Sequence, residues 1–109
     1  MSFLVTARRR AEEDLAAAVN WTAQHSPVGA IRLLDAVENL VAQLRRNPLS
    51  HGLAPEDEFV DSIVRQGFFH TPRGRVDRAV YVVESNEVRI LRIRGPGQPT
   101  VSPDELGIG

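Results

Sequence analysis

The sequence predicts an α+β fold of order β-α-α-β-β-β, with an antiparallel helical hairpin packed on one face of a small, mainly antiparallel sheet. Three observations predict it. Residues 27–46 carry an apolar stripe at helical spacing, and residues 11–22 carry a second. Only His25-Ser26 separates the two segments, which forces the helices to run antiparallel and turn both stripes toward one core. Residues 61–94 then alternate β-like runs with turns, and seven arginines are spread through them.

Phe3-Leu4-Val5 is a short apolar run and reads as a strand. Thr6 is the expected N-cap of a helix starting near Ala7. Ala11, Leu15, Ala18 and Thr22 recur on one face of that helix, with Trp21 on its flank as a packing residue. Ser26-Pro27 is a start signal, with serine as N-cap and proline at the first helical position. The second helix runs to about Arg46 and carries Ala30, Leu33, Leu34, Val37, Leu40, Val41 and Leu44 as one stripe. Arg45 and Arg46 suit the dipole of its last turn, and Asn47-Pro48 stops it.

Residues 48–60 read as loop, broken by Pro48, Gly52 and Pro55. Strands are expected at Ile63–Phe69, Arg78–Glu84 and Val88–Arg94, joined by Thr71-Pro72-Arg73-Gly74 and by a Ser85-Asn86 hairpin turn. The middle run is apolar on both sides, which suits a central strand. Simple alternation along the last run puts Arg89, Leu91 and Ile93 on one face and Val88, Ile90, Arg92 and Arg94 on the other. Ser102-Pro103-Asp104-Glu105 caps at most one final helical turn. With the hairpin on one sheet face, the opposite face is expected to be free and to present the arginines.

A chain of 109 residues is expected to form one domain, 1–109, with a tail from about 99. There is no cysteine, which excludes disulfides and thiolate metal sites. The start, Met-Ser-Phe-Leu-Val-Thr, has no basic n-region, and no stretch approaches the ~20 apolar residues of a membrane span. A cytoplasmic protein without membrane partners is expected. The formal net charge of −1 hides an asymmetry. Residues 62–98 hold seven arginines and three acids, whereas Glu56, Asp57, Glu58 and Asp61 precede them and Asp104 and Glu105 follow. Every one of the 13 basic residues is arginine, the side chain suited to bidentate contact with phosphate or carboxylate. One reading is a face for an anionic partner; the other is that the flanking acids offset the arginines on a mixed surface.

Arg65, Arg73, Arg75, Arg78, Arg92 and Arg94 are the candidates for such a face. Arg73 and Arg75 lie in a turn and read as solvated strand-edge charges. Arg78, Arg92 and Arg94 sit on or at the ends of inner strands, as functional groups or as partners of Glu84 and Asp77. Acid–base groups are scarce. His70 beside the Thr-Pro turn reads as a surface histidine, and His25, His51 and His70 fall in three settings that make no metal site. Phe68 and Phe69 are the few aromatics suited to base stacking, and at least one belongs to the core.

Ala11-x-x-Asp14-Leu15, Trp21, Ser26-Pro27, Ala30-x-x-Leu33-Leu34-Asp35-Ala36 and Asn47-Pro48 together resemble the helical hairpin of the RelE/ParE toxin superfamily of type II toxin–antitoxin modules. Val64-Arg65-Gln66, Arg78-Ala79-Val80-Tyr81 and Val88-x-Ile90-Leu91-Arg92-Ile93-Arg94 extend the resemblance over residues 3–98. It implies one of two activities: RelE-like cleavage of messenger RNA in the ribosome, or ParE-like poisoning of DNA gyrase without nuclease chemistry. It also implies a cognate antitoxin, a toxin–antitoxin hetero-oligomer and no cofactor. Arg65, Arg78 and Arg94 match the basic positions a RelE-like nuclease would use. Three departures weigh against that activity. Asp77 stands where the Tyr-Arg-x-x-Tyr pattern has its first tyrosine; Gly95-Pro96-Gly97-Gln98 replaces His-Gly-Ala-Arg; and the C-terminal tyrosine of RNA-cleaving members has no counterpart. The ParE-like, non-catalytic reading is therefore preferred, with Arg65, Arg78, Arg92 and Arg94 as partner-binding residues. A RelE-like ribonuclease and a non-toxic nucleic-acid-binding or interaction module are the alternatives.

Overall fold

A computed structural model describes residues 2–71 and 75–108. Strand β1 (Leu4–Ala7) is followed by helices α1 (Arg9–His25) and α2 (Pro27–Arg46), strands β2 (Arg65–His70), β3 (Val76–Glu84) and β4 (Glu87–Arg94), and a last helical turn α3 (Pro103–Leu106). The sheet order is β1-β4-β3-β2. β2, β3 and β4 pair antiparallel, and β1 joins β4 in parallel. The expected α+β order and the mainly antiparallel sheet are thus both present.

The elements form where local signals are strong and shift where tertiary pairing outweighs them. Ser26 accepts a hydrogen bond from the Gly29 N–H and caps α2, as its Ser-Pro signature predicts. Thr6 does not cap α1. It lies inside β1 opposite Arg89, and its hydroxyl donates to Glu87. The Arg8 N–H bonds the Ile90 carbonyl, so the parallel ladder holds the chain extended and delays the helix to Arg9. Ile63 is exposed and precedes β2, while β3 begins two residues earlier than expected. The expected loop at 48–60 contains two short 3-10 turns, Pro48–Ser50 and Pro55–Phe59. Of the expected turn at 71–74, residues 72–74 lie outside the described residues. The β3–β4 loop is Ser85-Asn86, with Ser85 at a φ of 55° that a non-glycine residue rarely adopts.

The helices cover one face of the sheet. Leu33, Leu40 and Leu44 pack with Ala11, Phe69, Tyr81, Val88 and Ile90. Leu34 does not: it is 42% exposed, whereas Leu33 is fully buried. Consecutive helical residues point about 100° apart, so the stripe centred on Leu33, Leu40 and Leu44 leaves Leu34 on its flank. Gly67 of β2 lets α2 approach closely, since a Cβ there would meet Leu40 Cδ1 at 2.8 Å.

The opposite face is not free. Val64, Val80, Val82 and Leu91 form a second apolar cluster, closed by Val101 and Leu106 of the C-terminal segment. A β-bulge makes this possible. Val80 pairs with Arg92 and Tyr81 with Ile90, so Leu91 is an extra residue on β4. Beyond it the alternation inverts. Ile93 joins the helix-side core, while Arg92 and Arg94 pair with Val80 and Arg78 on the tail-side face.

Candidate functional site

Three of the four arginines expected to bind a partner come together. Arg78, Arg92 and Arg94 lie on the tail-side face, with Arg78 and Arg94 directly opposite each other across β3 and β4. Arg65 stands apart. It pairs with Tyr81, which faces the helices, and its Nη1 donates to the His51 carbonyl at 2.8 Å, pinning the turn that follows α2. Tyr81 supports the same turn by donating its hydroxyl to the Pro48 carbonyl.

Each arginine of the trio has an acidic partner within the chain, and none of these is Glu84 or Asp77. Arg78 makes a bidentate pair with Glu56, at 2.9 and 2.7 Å. Glu56 is fully buried, and its second oxygen also accepts the Val101 N–H at 2.8 Å. Burial pushes the Glu56 carboxyl up; hydrogen bonds from Arg78 and from backbone N–H groups outweigh it and leave the carboxyl below its ordinary value. Arg92 pairs in the same two-pronged way with Asp14 of α1, at 2.8 and 3.1 Å, and reaches Glu105 Oε2 at 3.1 Å. Asp14 also accepts the Ile93 N–H, so it ties the helical hairpin to β4. Among the described residues Arg94 has one polar partner, 3.3 Å from Nη2 to the same Glu105 Oε2, and its buried Nε has no acceptor.

Glu105 is therefore shared. One oxygen serves Ser102, in a capping box that starts α3, and the other serves Arg92 and Arg94. Hydrogen bonds from Ser102 first, then the two arginines, hold its carboxyl at about 2. Arg8 clamps the end of the tail by donating to the Leu106 carbonyl at 2.7 Å. Gly107 closes α3 at a φ of 68°, and a Cβ there would strike Arg8 Nη1.

Arg75 is not a solvated edge charge. It pairs with buried Asp77 at 2.7 and 3.0 Å and lies 5.9 Å over the Trp21 ring. Trp21 is 57% exposed and stacks on His25 with ring centroids 4.4 Å apart, so it borders a surface rather than filling the core. Cavities of about 470 and 500 Å³ adjoin this pair, the first toward Asp14 and Gln98, the second toward Arg32 and Thr71. Arg73 lies outside the described residues.

Proton-transfer groups are sparse beside the trio. Tyr81 is buried, and burial pushes its hydroxyl up to about 12, so it cannot ionise near neutrality. His70 is exposed at the C-terminal end of β2, opposite Val76 and two residues along the strand from Phe68, the cross-strand partner of Arg78. Among the described residues no group of three or more His, Asp or Glu side chains could hold a metal ion, and no helix is long and apolar enough to cross a membrane.

Sequence reasoning offered the flanking acids as a general offset to the arginines, but named Glu84 and Asp77 as partners in place of Glu56, Asp14 and Glu105. Glu56 and Glu105 lie in the two acidic stretches that flank the basic region, so the charge asymmetry was the available signal. Asp14 carried no such signal, because 78 residues separate it from Arg92.

No curated protein matches the sequence. A solved chain of the chromosomal ParDE TA system from P. aeruginosa has a similar fold, with a TM-score of 0.64, 23% identity, and coverage of 86% of this chain and 96% of that one. The family model for the ParE toxin of the type II toxin–antitoxin system, parDE, matches residues 5–98, from β1 to the turn after β4. The chain belongs to the ParE toxin family of type II toxin–antitoxin systems.

Proposed function

We propose that this chain is a toxin that acts by binding a protein target, DNA gyrase being the first candidate, and that a cognate antitoxin neutralises it in a cytoplasmic hetero-oligomer. The observation that carries the binding reading is the state of the arginines. Cleavage of RNA needs guanidinium groups free for the phosphate, together with a base and an acid for the two oxygens. Here Arg78 and Arg92 are each held by a bidentate carboxylate, and Tyr81 is buried. Exposed apolar side chains support a protein partner. Val28, Ile31 and Leu34 follow one another along α2 at three-residue spacing and stand open to solvent, and Trp21 is exposed on α1. Such a row on a helical hairpin matches the apolar anchors of a helix or extended segment.

The test is DNA supercoiling by purified gyrase with the chain added, alone and with its antitoxin. Inhibition relieved by the antitoxin is the expected result. Cuts in ribosome-bound message that disappear in Arg78→Ala or Arg94→Ala would establish the RelE-like reading instead. Neither effect, with antitoxin binding intact, would leave a non-toxic interaction module.

A further inference from the structure

We propose that the sheet face beneath residues 99–108 is an exchangeable docking groove, and that its partner is a segment with the tail's own pattern: an apolar residue, a carboxylate four positions later, and an apolar residue directly after that. This deepens the binding reading above by naming the chemistry of the partner. In the tail the pattern is Val101, Glu105 and Leu106. Both apolar side chains are buried against Val64, Val80, Val82 and Leu91. The polar attachments are few: the Val101 N–H to Glu56, Glu105 to Arg92 and Arg94, and Arg8 to the carbonyls of Leu106 and Gly107.

Two features mark the tail as a replaceable occupant. The first is that residues 95–100 contain no helix or strand and 96–100 are exposed, so the tail hangs on a connector that can swing without disturbing β4. The second is the poor fit of its carboxylate. One oxygen of Glu105 is divided between two guanidinium groups at 3.1 and 3.3 Å, and the Nε of Arg94 is buried with no acceptor among the described residues. When the tail lifts, Arg92 keeps Asp14 and Arg78 keeps Glu56, but Arg94 has no carboxylate left. An incoming segment that gives Arg94 a carboxylate of its own satisfies this face better than the tail does.

The tether makes the tail an intramolecular competitor at an effective concentration in the millimolar range. A partner in trans therefore binds with an affinity reduced by the fraction of chains whose tail is closed. The probe is a labelled synthetic peptide of residues 99–108, titrated into the full chain and into the full chain carrying Glu105→Gln and Leu106→Ala. Binding to the substituted chain should be about tenfold tighter or more, and should weaken by about fivefold or more when the peptide's own glutamate becomes glutamine. Equal binding to both chains, binding to neither, or indifference to the peptide's glutamate overturns the proposal. Hydrogen exchange on the unsubstituted chain stands apart from any folding defect of the variant. The amides of Val101 and Leu106 should exchange well before those of β3, and exchange at the same rate as β3 also overturns the proposal. Peptide exchange without gyrase inhibition would refute the target reading alone; gyrase inhibition without peptide exchange would refute the groove alone.

Discussion

Against the face of the sheet that carries the helices, the chain buries Leu33, Leu40, Leu44, Phe69 and Tyr81 in one apolar cluster. Against the opposite face it buries a smaller cluster of valines and leucines, and sets the Arg78, Arg92 and Arg94 guanidinium groups among Glu56, Asp14 and Glu105. The first face is closed by burial of apolar area, which is non-directional and tolerates small shifts. The second is closed by paired charges, whose attraction is largely offset by the cost of taking them out of water. Such a face contributes little net stability when intact and loses much when one partner is removed. It is also the face that a competing carboxylate can open, whereas nothing in trans can readily replace the leucines of α2.

The two faces should differ most at Glu56. Arg78→Ala leaves a fully buried carboxylate without its bidentate partner, and should destabilise the fold by about 3 kcal/mol or more in denaturant unfolding. The double change Glu56→Gln with Arg78→Met should recover most of that loss. If the single change costs no more than an exposed pair does, the charged face is not a closed one.

On the helix side, Leu33→Ala should cost about 2–5 kcal/mol, because its side chain is fully buried in the apolar cluster and its removal leaves a cavity. Leu34→Ala should stay within about 0.5 kcal/mol in the isolated chain. Its larger effect should appear only in affinity for the antitoxin, measured by calorimetry. A Leu34 cost equal to that of Leu33 would mean that α2 is rotated from the orientation described.

Acid should act on the charged face first. Glu56 and Glu105 both titrate below their ordinary values in the folded chain, Glu105 at about 2. A depressed carboxyl contributes stability above its unfolded value of about 4.3, and that contribution is lost as pH falls through the folded value. The melting temperature should therefore drop between about pH 4.5 and pH 2, and drop less in Glu105→Gln. A small effect belongs to Arg89, which is partly exposed and contacts Glu87 at 3.1 Å and Glu84 at 3.9 Å. Arg89→Ala should change stability by about 0–1 kcal/mol, and raised salt should erase the difference.

The helical hairpin was legible because its signals are local. The Ser26-Pro27 start, the apolar stripe and the short link each act within a few residues, and together they leave one arrangement. Leu34 was misplaced because a stripe read from spacing has soft edges, and only the contact with the sheet decides where burial ends. The arginines were picked out as a group, and Arg78, Arg92 and Arg94 do share a face. The flanking acids were legible as a general offset, but which carboxylate meets which arginine was not, because Asp14 and Glu56 come from elements far away in the chain.

By itself the sequence determined the order of elements, the centre of the α2 stripe, the stop at Asn47-Pro48 and the absence of cysteine chemistry. Each follows from periodicity, backbone preference or composition, which need no knowledge of distant neighbours. Only the tertiary structure decided which way Arg92 and Arg94 point. The bulge at Leu91 inverts the alternation of β4, and a bulge arises from how two strands pair rather than from either strand alone. The tertiary structure likewise brought Asp14, Glu56 and Glu105 to those arginines, and so turned a basic stretch of sequence into a face already filled by the chain's own acids.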